Sequence, residues 1–302
     1  MQNSSHCAAV KPWPGASRIE PVVAAGLTLR AVSKTTTTPV PVAGAPVIEL
    51  DRPWLAPLRP SLDLALHAWQ QAAAQASPVA QALNQALLTT PALGSPRFVP
   101  QTGLPAGEAY EAFIHRSAQV PTRNNLHDFF NGLVWLHQPA IKHRLNQLQA
   151  TEISRAGIGT VRGPLRDALT LFDENGALLQ APQPLLAALR QRDLPALFIT
   201  HRHRWAEARL TLVGHALLEK LSTAPRKALT AHVLLADPLA LDAAGWATKP
   251  FWPLPVLGVP GWWPDNEDPA FYSDATVFRP RRGPPVSPPN PAQQNLSTGP
   301  QT

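Results

Sequence analysis

His127, Asp128 and Asn131 lie in a segment whose apolar residues Leu126, Phe129, Phe130, Leu133 and Val134 recur at helical spacing. On such a helix the three polar groups share the side away from the stripe, close to the N-terminus. Unpaired N–H groups there favour an anionic ligand or hold a carboxylate poised. The same residues also fit a plain capping arrangement, with Asn125 as N-cap, Asp128 at the third helical position and His127 exposed. A second pair, His215 and Glu219, stands one turn apart opposite Leu217, Leu218 and Leu221. An imidazole and a carboxylate at that spacing can share a divalent metal, or the acid can orient the ring for proton transfer. An ordinary surface His–Glu contact satisfies the spacing equally.

Acids at Asp167, Asp173 and Glu174 complete either centre if their segment folds beside both helices. The expected machinery is therefore His127, Asp128, His215 and Glu219 as catalytic groups, with His127, His215, Glu219 and Asp173 as ligands of a divalent metal. Imidazole and carboxylate together suit Zn, Mn or Fe. Arg123 is expected to hold an anionic substrate group, with Asn131 beside it. His232 is a further candidate that a partly buried structural histidine explains as well.

Other chemistries are excluded. The chain has no GxSxG elbow and no GxxxxGK[ST] loop, and Gly157-x-Gly159-x-x-x-Gly163 fails the dinucleotide spacing. Its one cysteine, Cys7, rules out a disulfide scaffold and a multi-thiolate zinc site. The formal charge of +6 suggests nucleic acid, yet in none of the consecutive segments 1–50, 51–105, 106–160, 161–220 and 221–302 does the net charge exceed +2, so the excess is spread along the chain and is weak support for a phosphate-binding groove. His201-Arg202-His203-Arg204-Trp205 is the one strip where cations and a ring interleave, and it is too short for a nucleic-acid footprint.

These residues need elements to place them. Helices are expected over about Ser61 to Ala76, Pro78 to Leu88, Gly107 to Ser117, Leu126 to His137, Pro139 to Glu152, Pro184 to Arg192 and His215 to Leu221. Ala168 to Phe172 and Ala177 to Gln180 read as a hairpin around Asp173-Glu174-Asn175-Gly176, because Asn-Gly supplies the positive φ of tight turns. Ala196 to Thr200 and Ala208 to Val213 read as strands, and Leu229 to Ala236 fits either period. Residues 246 to 278 hold eight of the twenty aromatic residues, interleaved with prolines. Such an arm can adhere to a core without regular structure. It can also offer Trp262 and Trp263 to a small-molecule or protein partner.

Of 302 residues, 35 are proline and only 15% are charged. Residues 1–47 and 281–302 are rich in Pro, Ser, Thr and Gln without a period that buries a face, and are expected to be a disordered leader and tail. One domain over 48–280 remains. It is expected to be α+β and helix-rich, with a small, mostly antiparallel sheet and an irregular Pro/aromatic C-terminal arm. Residues 64–96 lack charge but carry glutamines and prolines, so no membrane segment is expected, and a cytoplasmic location is the default.

Four motifs carry a resemblance. Val120-Pro-Thr-Arg-Asn-Asn-Leu-His-Asp-Phe-Phe-Asn-Gly-Leu-Val-Trp-Leu136, Arg166-Asp-Ala-Leu-Thr-Leu-Phe-Asp-Glu174, Gly214-His-Ala-Leu-Leu-Glu-Lys220 and Pro253-Leu-Pro-Val-Leu-Gly-Val-Pro-Gly-Trp262 resemble the bacterial family catalogued as domain of unknown function 3025, over roughly residues 50 to 280. The resemblance brings no established activity, cofactor or catalytic residue with it. The residues themselves point first to a metal-assisted or acid–base hydrolase, and second to a non-catalytic binding module using the Pro/Trp arm.

Overall fold

A computed structural model describes residues 48–89, 96–157 and 163–278. The expected leader and tail, and Cys7, lie outside the described residues. In chain order the regular elements are α1 (Arg59–Gln71), α2 (Pro78–Thr89), β1 (Arg97–Pro100), α3 (Tyr110–Ser117), β2 (Gln119–Thr122), α4 (Leu126–His137) and α5 (Pro139–Ala156). There follow α6 (Pro164–Asn175), β3 (Gly176–Gln180), α7 (Gln183–Gln191), β4 (Arg209–Leu212), α8 (His215–Thr223), β5 (Thr230–Leu234), α9 (Ala243–Ala247) and β6 (Phe251–Pro255). Proline opens α1, α2, α5, α6 and α7 within the first turn, where its missing N–H costs no hydrogen bond.

The architecture is α+β and helix-rich. Four strands form one sheet in the order β4-β3-β5-β6, with both outer pairs antiparallel and the central β3–β5 pair parallel. β1 and β2 form a separate two-stranded parallel pair. Helices and sheet share one apolar core in which Trp135, Trp246, Phe129, Phe130, Phe172 and Phe198 are fully buried. No helix among the described residues is long and apolar enough to cross a membrane.

The expected hairpin is absent, and this changes the site. Residues Pro164–Asn175 form α6, which buries Ala168, Leu169 and Phe172 along one stripe. The strand expected at Ala168 to Phe172 is thus helix, and Asp173-Glu174-Asn175 is the last turn of α6. Asn-Gly suggested a turn, but Gly176 has an extended backbone with φ of −74°. What it provides is room: a Cβ there would lie 2.3 Å from the Phe172 carbonyl oxygen. β3 therefore leaves α6 directly and pairs with β4 and β5. Ala196–Thr200, also expected as a strand, is a single π-helical turn that buries Leu197 and Phe198, with its first N–H capped by Asp193 Oδ1 at 2.9 Å. The ambiguous segment Leu229 to Ala236 contains β5, because its neighbours β3 and β6 supply the ladder.

The C-terminal arm adheres to the core without regular structure beyond β6 and short 3-10 turns. Phe271 and Phe278 are buried, and Phe198 stacks on Trp205 and Tyr272. Buried Asn266 donates to the carbonyls of Leu257 and Val259 at 2.8 and 2.7 Å, supplying the backbone partners that a sheet would otherwise give.

Candidate functional site

Asn125 caps α4, its Oδ1 accepting from the Asp128 N–H at 2.8 Å. This fixes the first turn and leaves His127 on the face turned toward α8. Gly214 seats α8: its N–H donates to the Gly176 carbonyl at 2.8 Å, and a Cβ there would approach the Asn175 backbone to 2.5 Å. That close approach sets His215, the first residue of α8, against Asp173 and Glu174 at the end of α6. Three helix ends thus converge.

At the convergence His127 and His215 face each other, with Nε2 atoms 3.1 Å apart and ring planes 70° from parallel. His127 Nδ1 donates to Glu219 Oε2 at 3.1 Å. His215 Nδ1 makes no hydrogen bond to the described residues and faces Asp173 Oδ2 at 3.7 Å. Glu174 Oε1 lies 3.7 Å from His215 Nε2. One ligand atom each from His127, Glu174 and His215 falls within 4.8 Å of the other two. Glu219 and Asp173, expected as metal ligands, stand beside the outer nitrogens of the two rings, at 3.1 and 3.7 Å, and Glu174 is the carboxylate grouped with the two rings.

Buried Lys142 anchors this arrangement. Its Nζ donates to Asp173 Oδ1 at 2.5 Å and to Asn131 Oδ1 at 2.8 Å, and it lies over the Trp135 ring. Asn131 Nδ2 in turn donates to the Tyr110 hydroxyl at 3.2 Å. Burial would raise the Asp173 carboxyl, but Lys142 and His215 together hold it below its ordinary value. Burial lowers His215 to about 4, so its ring is neutral near pH 7. Burial likewise pushes up the carboxyls of Glu174 and Glu111 and lifts the Tyr110 phenol well above its usual value.

His127, His215, Asp173, Glu174, Asn131 and Tyr110 line a cleft of about 460 Å³, together with Glu111, Arg123, Gln149, Arg166 and Thr170, while Lys142 supports Asp173 from outside it. Asp128 is buried and accepts from Arg123 Nε, Nη2 and backbone N–H at 2.7 to 3.2 Å, so the two expected site residues are paired with each other on the cleft wall. Trp262 and Trp263 do not line this cleft. Both are half-buried, Trp262 against Trp54 and Trp263 under the Arg52 guanidinium, and Trp262 borders a separate open groove of about 820 Å³. Arg202 of the cationic strip is engaged by Glu267 and Tyr272. Asp167 pairs with Lys249, and His232 lies against Phe251.

A family model described as Protein of unknown function (DUF3025) matches residues 96–241 and 233–282. The chain belongs to this family. The matched region of this DUF3025 member contains His127, Glu174, His215, Glu219, Lys142 and Arg166, the whole of the converging cluster and its cleft. No curated protein and no solved structure matches the chain.

Glu174, Glu111 and Arg166 in the cleft, and Lys142 beside it, are the residues that sequence reading did not bring forward as principal groups. Lys142 gives no signal, since a lysine on a helix reads as a solvated one. Glu174 was masked by the turn expected at Asn175-Gly176; a helical reading of Leu165, Ala168, Leu169 and Phe172 puts Asp173 and Glu174 together at a helix end.

Proposed function

We propose that this protein binds a divalent metal ion through His127, His215 and Glu174 and hydrolyses a substrate held in the cleft beside it. The observation that carries the reading is the pairing of the two Nε2 atoms at 3.1 Å. Glu219 accepts the N–H of His127 Nδ1, so His127 Nε2 bears a lone pair. The Asp173 carboxylate opposite His215 Nδ1 favours the N–H on that nitrogen too, so both facing atoms offer lone pairs. Two lone pairs so close repel unless a cation lies between them. Metal–nitrogen bonds of about 2.0–2.1 Å opened at a tetrahedral angle put their nitrogens about 3.3 Å apart, close to the observed separation.

Two imidazoles and one carboxylate suit Zn²⁺, Mn²⁺ or Fe²⁺ and leave an open position. Such an ion would supply a bound water whose pKa falls to about 7 and would polarise the oxygen of an electrophile. Hydrolysis would then join the water oxygen to a carbonyl or phosphoryl centre, break the bond to the leaving group and pass the water's proton to that group. Glu219 and Asp173 act as positioning residues, and the Tyr110 hydroxyl, protonated throughout the neutral range, lines the cleft as a donor to substrate.

The test is elemental analysis of the purified full chain, then a screen of simple phosphate, ester and amide substrates. About one equivalent of metal is expected, lost in His215→Ala and in Glu174→Ala. Wild-type protein that stays metal-free after incubation with zinc, manganese and ferrous ions would leave a proton, not a metal, between the rings and overturn the proposal.

A further inference from the structure

The reacting end of the cleft leaves the substrate class open, and its wall narrows it. Lys142 is paired with Asp173, and Arg123 with Asp128. Arg166, half-buried on the same wall, has no carboxylate within 4 Å among the described residues. It is nonetheless held: its Nε donates to Gln149 Oε1 at 3.4 Å, and Gln149 Nε2 donates to Thr170 Oγ1 at 3.2 Å. Gln149 is buried, so it fixes the guanidinium from behind. Both terminal nitrogens of Arg166 make no hydrogen bond to the described residues. The nearest acids are otherwise occupied, Glu152 by Arg155 and Glu111 by Asn146.

Arg166, Thr170 and Glu174 follow one another at i, i+4 and i+8 on α6, and all three line the cleft. Eight residues of helix rise about 12 Å. We infer that Arg166, with the Thr170 hydroxyl, is an anion-binding subsite that takes the carboxylate or phosphate at one end of a substrate whose hydrolysable bond lies at the imidazole pair, one to two helical turns along α6, a rise of roughly 6–12 Å. A guanidinium with two free terminal nitrogens offers the parallel donors that planar carboxylates and phosphates accept. An elongated substrate with one anionic terminus follows. The reacting end rests on the metal-hydrolase reading above; the binding of the anion does not.

The test keeps the two apart by using chelator-treated, metal-free full chain. The arginine side-chain N–H resonances are followed by NMR while inorganic phosphate, and separately acetate, is titrated in. Saturable shifts of the Arg166 resonance are expected in the wild type, with at least tenfold weaker anion binding in Arg166→Gln and intermediate binding in Arg166→Lys. The stronger of the two anions identifies the terminal group. Equal binding by wild type and Arg166→Gln, or no saturation by either anion at tens of millimolar, overturns the subsite. Metal content of Arg166→Gln, measured on the same batches before chelation, is expected to match the wild type. A wild type that fails to bind metal would sink the hydrolase reading and leave the anion result standing.

Discussion

His127 and His215 aim their Nε2 atoms at each other across 3.1 Å, while Glu219 backs the first ring and Asp173 the second. Carboxylates behind metal-facing imidazoles fix ring orientation and raise ligand basicity. Glu219→Gln is therefore expected to weaken zinc binding by about 10- to 100-fold, read by competition with a chromophoric chelator. Unchanged affinity would mean that Glu219 does not orient His127.

Lys142 is 5% exposed at its side chain and shares Asp173 with His215. Removing one member of a buried pair leaves an uncompensated charge, which costs about 3–5 kcal/mol. Lys142→Met is expected to lose that much in urea unfolding, and the double variant Lys142→Met/Asp173→Asn to recover a large part. A double variant no more stable than the single one would show that the charge on Asp173 is not what Lys142 compensates.

Acid should unfold the metal-free protein partly through His215. Its folded value of about 4 lies below the ordinary histidine value of 6.5. Between those pH values the unfolded chain binds a proton that the folded chain refuses, so stability falls as pH drops from 6.5 to 4 and this contribution levels off below 4. The full difference corresponds to about 3 kcal/mol. The raised carboxyls of Glu111 and Glu174 act in the opposite direction, so the comparison is wild type against His215→Asn. The variant is expected to show the shallower acid slope, and identical slopes would refute the assignment.

Gly214 lets α8 approach the end of α6. A Cβ at this position would lie 2.5 to 2.6 Å from the Asn175 backbone, which cannot swing aside as a side chain does. Gly214→Ala is expected to cost about 1–3 kcal/mol and to separate His215 from Glu174, lowering metal content. Gly163→Ala, with no atom within 4 Å of the added Cβ, is the control and should stay within about 0.5 kcal/mol of wild type in thermal unfolding.

Helical periodicity placed α4 and α8 and put His127 and His215 on faces away from their apolar stripes, because each stripe is written within one turn or two of the chain. Asn125 was legible as a cap for the same local reason. The division of labour among the acids was not. Asp173 and Glu174 are adjacent in sequence, yet one is paired with Lys142 behind a ring and the other lies 3.7 Å from His215 Nε2. Asn175-Gly176 looked like a turn because the dipeptide's local preference is real, but burial of Leu169 and Phe172 carries the helix to Asn175, and Gly176 opens β3.

The sequence by itself determined the helix-rich α+β class and the family, and put His127 and His215 forward as candidates, since propensity, period and residue type act over a few positions. Only the tertiary structure decided which carboxylate meets which nitrogen and which arginine has terminal nitrogens without a hydrogen bond to the described residues. Those choices depend on contacts such as Lys142 with Asp173 and Glu219 with His127, which lie 31 and 92 residues apart and exist only once the helix ends have converged.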